Sequence, residues 1–174
     1  SGLSGQSGLA VNSGKPGRRG ANSVSGNNRA SRPMKPTLVP GLTATHTFTV
    51  TAANTVPHLA MDRSTFDDIP EVLATAYMIV MMEAAATKVL RPYLEANEGS
   101  LGIAVNVTHL AATVPGQTVT ATAEIIAVEG RKVTFKVSAH DGIDKIGEGT
   151  HSRAIVPWDR FKAGVAAKVA KVSK

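Results

Sequence analysis

Two ionisable residues stand where apolar side chains dominate. Glu83 lies within Met81-Met82-Glu83-Ala84-Ala85-Ala86, in the middle of the longest apolar run of the chain. An unpaired carboxylate there costs several kcal/mol or is driven neutral. Glu83 therefore either reaches an arginine or a sheet edge as a tolerated structural group, or serves as a general base, nucleophile or water-positioning carboxylate in a partly dry pocket. His109 ends the run Ile103-Ala104-Val105-Asn106-Val107-Thr108-His109, and strand alternation sets it on one face with Ile103, Val105 and Val107. A lone imidazole on an apolar face is ordinarily a satisfied core side chain. Opposite a buried carboxylate it becomes half of an acid–base or orienting pair. Thr75 opens the apolar run, where its hydroxyl suits a helix N-cap. On one continuous helix Thr75 and Glu83 stand about 12 Å apart along the axis. A joint role then requires a bent entry to the helix or a subunit boundary.

The remaining histidines carry weaker signals. His46 and His58 sit among polar residues, and His140 and His151 flank the Asp141–Gly149 turn region. No pair has metal-ligand spacing with carboxylate support, so no metal is expected. The chain has no cysteine, which removes disulfides, a thiolate nucleophile and Cys-ligated metals. A phosphate-cradling glycine loop, a nucleophile elbow and a dinucleotide fingerprint are also absent. Met78, Met81 and Met82 read as core filler.

The elements that must position these residues follow from patterning. The 174 residues, 43% of them hydrophobic, suit one domain with a sizeable core. The net charge of +6 resides entirely in residues 1–40, which hold six basic and no acidic side chains. Residues 41–174 are formally neutral, so the basic balance argues for no nucleic-acid surface on the folded part. Residues 1–33 contain seven Gly and seven Ser and bury too little to offset their ordering entropy. The expected division is thus a disordered basic tail over 1–40 and a folded domain over 41–174. The tail reads as an appended or wrongly assigned extension, with Met34 as a natural start, since it lacks the apolar core of a secretory signal.

Thr43–Ala52 reads as a strand, and Asn54–Pro70 as a loop with short helical turns. Residues 71–94 then form a helix apolar on every side, in which Glu83, Lys88 and Arg91 argue against a membrane span. Four strands follow, at Ser100–Val114, Thr118–Val128, Lys132–His140 and Lys145–Val156. Short connections at Pro115-Gly116, Glu129-Gly130 and Asp141-Gly142 predict an antiparallel meander. Asp159 suits the cap of a last, amphipathic helix with the stripe Phe161, Val165, Val169 and Val172. A helix apolar all round needs cover on several sides. The expected architecture is α+β: a curved antiparallel sheet wrapped around a central helix, the hotdog arrangement, with a C-terminal amphipathic helix.

Longer tracts carry a specific likeness. Thr55-Val56-Pro57-His58-Leu59, Pro70-Glu71-Val72-Leu73-Ala74-Thr75, Met82-Glu83, Gly99-Ser100-Leu101-Gly102, Val107-Thr108-His109-Leu110-Ala111-Ala112-Thr113, Val137-Ser138-Ala139-His140-Asp141-Gly142 and Ile146-Gly147-Glu148-Gly149-Thr150-His151-Ser152-Arg153-Ala154 resemble the fluoroacetyl-CoA thioesterase family over roughly residues 41–160. The resemblance implies a hotdog homodimer that hydrolyses acyl-CoA thioesters with no metal and no cofactor beyond the CoA of its substrate; the lack of cysteine and of an export signal sets the expected compartment as the cytoplasm. It carries the family's catalytic Thr/Glu/His set onto Thr75, Glu83 and His109, its active-site glycine onto Gly102 and its arginine onto Arg153. The family's aromatic gate falls on Ile69, and Tyr77 replaces another aromatic of the substrate lining. An aliphatic gate points away from fluoroacetyl selectivity and toward a short- or medium-chain acyl group. Two other readings share the CoA partner: a non-catalytic acyl-CoA binder, and an enoyl-thioester hydratase with a differently placed Asp/His pair. Nucleic-acid binding through the basic arm is a further, separate reading. No membrane partner is expected.

Overall fold

The computed structural model describes residues 34–59 and 65–173. The expected tail over 1–33 lies outside them. Strand β1 (Thr43–Thr49) leads through two 3-10 turns at Ala52–Asn54 and Val56–His58 to helix α1 (Thr75–Leu90). Strands β2 (Glu98–His109), β3 (Thr118–Glu129), β4 (Lys132–His140) and β5 (Lys145–Pro157) follow, and helix α2 (Trp158–Val172) ends the described chain. All pairs in the five-stranded sheet are antiparallel, in the order β1-β3-β4-β5-β2. The sheet wraps one face around α1, the hotdog arrangement expected.

Alternation explains which side of the sheet is dry. Val119, Ala121, Ala123 and Ile125 of β3 and Val133, Phe135, Val137 and Ala139 of β4 are all buried. They meet Met78, Met82, Ala85, Ala86, Val89 and Leu90 on the buried face of α1. The helix is covered on that face only: Val80, on another side, is 48% exposed. An all-round apolar helix is thus left half covered by its own chain.

Three expectations are corrected. First, the domain does not begin at residue 41. Met34 and Leu38 belong to the core cluster, Lys35 N–H donates to the Tyr93 carbonyl at 2.9 Å, and Met34 N–H donates to Glu98 Oε2 at 3.1 Å. Two apolar side chains within a polar stretch were enough to anchor it. Second, β2 does not form a hairpin with β3. It pairs with β5 at the opposite edge of the sheet, so residues 110–117 cross over instead of turning back. The crossover is pinned by Leu110 N–H to the Ile146 carbonyl (2.7 Å), Leu73 N–H to the Thr113 carbonyl (2.8 Å) and Gly116 N–H to the Val50 carbonyl (2.8 Å). Asp141 buries its carboxylate beneath it, accepting from the Ile143 and Asp144 N–H groups, the Thr113 hydroxyl and the Gln117 amide. Third, Asp159 does not cap α2. Pro157 occupies the N-cap, because Trp158, whose ring closes over Gly99, is already helical. Asp159 sits in the first turn and accepts from the Arg160 N–H at 2.7 Å. The stripe Phe161, Val165, Val169 and Val172 faces solvent.

Candidate active site

Thr75 is the first residue of α1, and the N-cap is Ala74, with no side-chain cap. The Thr75 hydroxyl is thereby free for another partner. Its Oγ1 lies 2.9 Å from His109 Nδ1, at the end of β2. His109 Nε2 is buried and has no hydrogen-bond partner among the described residues. Val56, Val72, Leu73, Leu110, Ala111 and Ala112 surround the pair and form an open, mostly apolar pocket of about 360 Å³. Alternation set His109 on one face with Val105 and Val107, and the register agrees: they lie opposite Gly147, His151 and Gly149 of β5. Ile103 departs from that pattern. It is the extra residue of a bulge between Gly102 and Ala104, and the bulge switches the parity of the strand.

Glu83 lies two turns further along the same helix and faces a different set of groups. The bulge brings Gly102, opposite Arg153 in the register, against the carboxylate. A methyl group at Gly102 would collide with Glu83 Oε1 and stand 3.1 Å from His151 Cε1. Only glycine permits this approach. Arg153 Nη1 is 3.7 Å and His151 Nε2 3.6 Å from the same oxygen. Arg153 is buried and tethered: Nε donates to Ser100 Oγ and Nη2 to the Ser100 carbonyl, both at 3.0 Å. Burial pushes its guanidinium down from the usual value, with Glu83 pulling the other way. Glu83 itself remains 37% exposed at the side chain.

The seven residues expected at the site thus fall into groups. Thr75 and His109 form one polar pair; Glu83 and Arg153 form a second, with Gly102 against the carboxylate. Tyr77 packs against the core cluster, and Ile69 is half-buried in the turn before Pro70. Neither joins the polar pairs. The two pairs are separated by about 12 Å along the helix and roughly 20 Å along β2, so Glu83 and His109 of one chain do not meet. His151 is the residue that sequence reasoning undervalued. Its place beside the Asp141–Gly149 region suggests a turn-flanking histidine, yet it is buried beside Glu83. The available signal was alternation along His151, Arg153 and Ile155, which places a histidine and an arginine on the inner face of β5.

The model of the family described as fluoroacetyl-CoA-specific thioesterase matches residues 43–159. The chain belongs to that family. It is 50% identical over 135 residues to the fluoroacetyl-CoA thioesterase of Streptantibioticus cattleyicolor, a match that spans 78% of this chain and 97% of the relative. A solved structure of a fluoroacetyl-CoA thioesterase, 50% identical, superposes with a TM-score of 0.72 over 75% of this chain and 97% of its own. A thioesterase superfamily member from Thermus thermophilus, 28% identical, also gives 0.72, over 80% and 98%. The enzyme class follows: this family member is a thioester hydrolase. A larger groove of about 690 Å³ between α2 and the end of β5, lined by residues such as Arg131, Phe161 and Lys168, holds none of the expected site residues. Among the described residues no three His, Asp or Glu side chains gather as a metal-binding group, and no helix is long and apolar enough to cross a membrane.

Proposed function

We propose that this enzyme hydrolyses a short- or medium-chain acyl-CoA to the free acid and CoA, using Thr75, Glu83 and His109 and no metal or cofactor. The observation that carries this reading is the Thr75–His109 pair, which leaves a buried, unpartnered Nε2 beside an apolar pocket. With Nδ1–H donating to the Thr75 hydroxyl oxygen, Nε2 keeps its lone pair and can accept a proton. As imidazolium it passes that proton to a departing CoA thiolate. Glu83 takes a proton from water as its oxygen attacks the thioester carbonyl. The tetrahedral oxyanion is met by a backbone N–H near Gly102, and collapse breaks the C–S bond. Glu83 hands the proton it took from water to His109 Nε2, which delivers it to the thiolate, so water supplies the hydroxyl of the acid and the proton of the thiol and both groups are restored.

The separation of the two pairs makes this a composite site. β2 is an edge strand, and Ile103 and Val105 near its middle are 55% and 42% exposed. A second copy adding its own β2 antiparallel, about a two-fold axis near the strand's middle, carries the Thr75–His109 end of one copy toward Glu83 of the partner subunit. It also covers the exposed side of α1. The working form in this reading is a cytoplasmic homodimer. Ile69, at the position of the family's aromatic gate, favours a general acyl group over fluoroacetyl.

Thiol release measured across an acyl-CoA panel, from acetyl and fluoroacetyl to long chains, tests the reading. Expected is a maximum at short or medium chains, with kcat reduced about 10²–10⁴-fold by either Glu83→Gln or His109→Ala. Saturable CoA binding with no thiol released would mark a non-catalytic binder. A change in enoyl absorbance without thiol would mark a hydratase.

A further inference from the structure

One buried titratable group has no part in the reaction as written. His151 is stacked on Phe135 of β4, ring centroids 6.2 Å apart, and its surroundings come from four elements. The charged groups facing it are Glu83 from α1 and Arg153 from its own strand; β2 contributes the Ala104 carbonyl. Its two nitrogens have opposite duties. A carbonyl only accepts, so Nδ1 carries the proton and donates to Ala104 O at 2.9 Å. A guanidinium only donates, so Nε2 is bare and accepts from Arg153 Nη1 at 3.2 Å. A doubly protonated ring would set N–H against N–H. Burial, the largest influence, and the charge of Arg153 both push the imidazole below its ordinary value, against the Ala104 carbonyl and Glu83.

We propose that His151 is a positioning residue for Glu83: its neutral ring ties the bulged strand β2 to the Arg153 guanidinium and so sets both against the carboxylate. The inference rests on the thioesterase reading of Glu83. Ala104 directly follows the bulge residue, and the bulge is what turns Gly102 onto Glu83. On the other side, Ser100 holds Nε and Nη2, and His151 provides the third tether, at Nη1. Without that acceptor the guanidinium is free to close the remaining 3.7 Å onto Glu83 Oε1. A closed Arg–carboxylate pair withdraws the lone pairs a general base needs. His151 therefore keeps the cation near enough to polarise the site and far enough to leave the base free.

Two amides divide the duties of the ring. In His151→Asn the amide takes the place of Nδ1 and loses the acceptor for Arg153; in His151→Gln an amide oxygen reaches the Nε2 position. Measured on the acyl-CoA that the wild type cleaves fastest, His151→Asn should lower kcat about 10-fold or more with KM within about 3-fold, and His151→Gln should recover most of it. In an Arg153→Lys background the His151→Asn change should cost no more than about 2-fold, since its effect passes through Arg153. Equal losses in both amides, multiplying with Arg153→Lys, would overturn the proposal and leave His151 a core side chain. Nitrogen-15 NMR of labelled histidines gives a readout independent of turnover. His151 should be neutral and Nδ1-protonated at pH 7, with its Nε2 resonance displaced in Arg153→Lys and Nδ1 held. An Nε2-protonated or charged ring overturns the tethering. A wild-type chain that shows the expected spectrum yet releases no thiol from any acyl-CoA supports the tethering while sinking the thioesterase reading.

Discussion

Gly102 states the local problem of the site in its simplest form. The carboxylate of Glu83 occupies the space where any side chain at that position would begin. Gly102→Ala should thus act on the carboxylate and spare the core, since the residue is exposed on an edge strand and lies outside the core cluster. The expected outcome is a loss of kcat of about 10-fold or more, with a thermal midpoint within a few degrees of the wild type. Unchanged kcat in a folded Gly102→Ala chain would separate Glu83 from the reaction. The types of these residues were legible in the sequence: a carboxylate inside an apolar run and an imidazole on an apolar strand face both violate the pattern around them. Their grouping was not. It depends on a one-residue bulge at Ile103, and strict alternation has no means of locating a bulge. His151 was half legible: alternation along β5 puts it on one face with Arg153, but its approach to Glu83 is set by helix placement.

At the scale of elements, the central strands were legible because their period is written in the residues they bury, as in Lys132–His140, where expected and observed bounds coincide. The path between strands was not. A Pro-Gly pair marks a reversal of direction, and Pro115-Gly116 does reverse the chain, but the strand it enters lies across the sheet. What makes the long crossover tenable is Asp141. Burial by itself would raise this carboxyl. The N–H groups of Asp144 and Ile143, the Thr113 hydroxyl and the nearby His140 outweigh that and hold it below the ordinary carboxylate range. Its folded pKa thus lies under its unfolded one, about 3.9. The clamp contributes fully above the unfolded value and is lost as pH falls through the folded value. Thermal midpoints should therefore decline on acidification below about pH 4. Asp141→Asn should lower stability by about 1–3 kcal/mol at neutral pH and flatten the acid dependence. Denaturant unfolding of both chains at several pH values measures this directly; parallel pH curves would rule the clamp out.

For the whole molecule, three features of one chain are incomplete in the same direction. Among the described residues, the edge of β2 is unpaired and bears exposed Ile103 and Val105, the outer side of α1 is bare at Val80, and His109 Nε2 is buried without a partner. A homodimer through β2 addresses all three, and it makes a prediction no single-chain site shares. If each site takes His109 from one copy and Glu83 from the other, chains carrying His109→Ala and chains carrying Glu83→Gln are inactive alone but complement when mixed. A heterodimer then holds one site with both defects and one with neither. Random exchange makes half of the dimers mixed, so about one quarter of wild-type turnover should return. A single-chain site would return none, because every site would keep a defect. Val105→Glu places two like charges near the proposed axis, where unpaired burial is costly. It should yield a monomer by light scattering and abolish turnover, leaving Thr75, Glu83 and His109 untouched. A fully active monomeric Val105→Glu chain would place the whole reaction within one copy and dismiss the composite site.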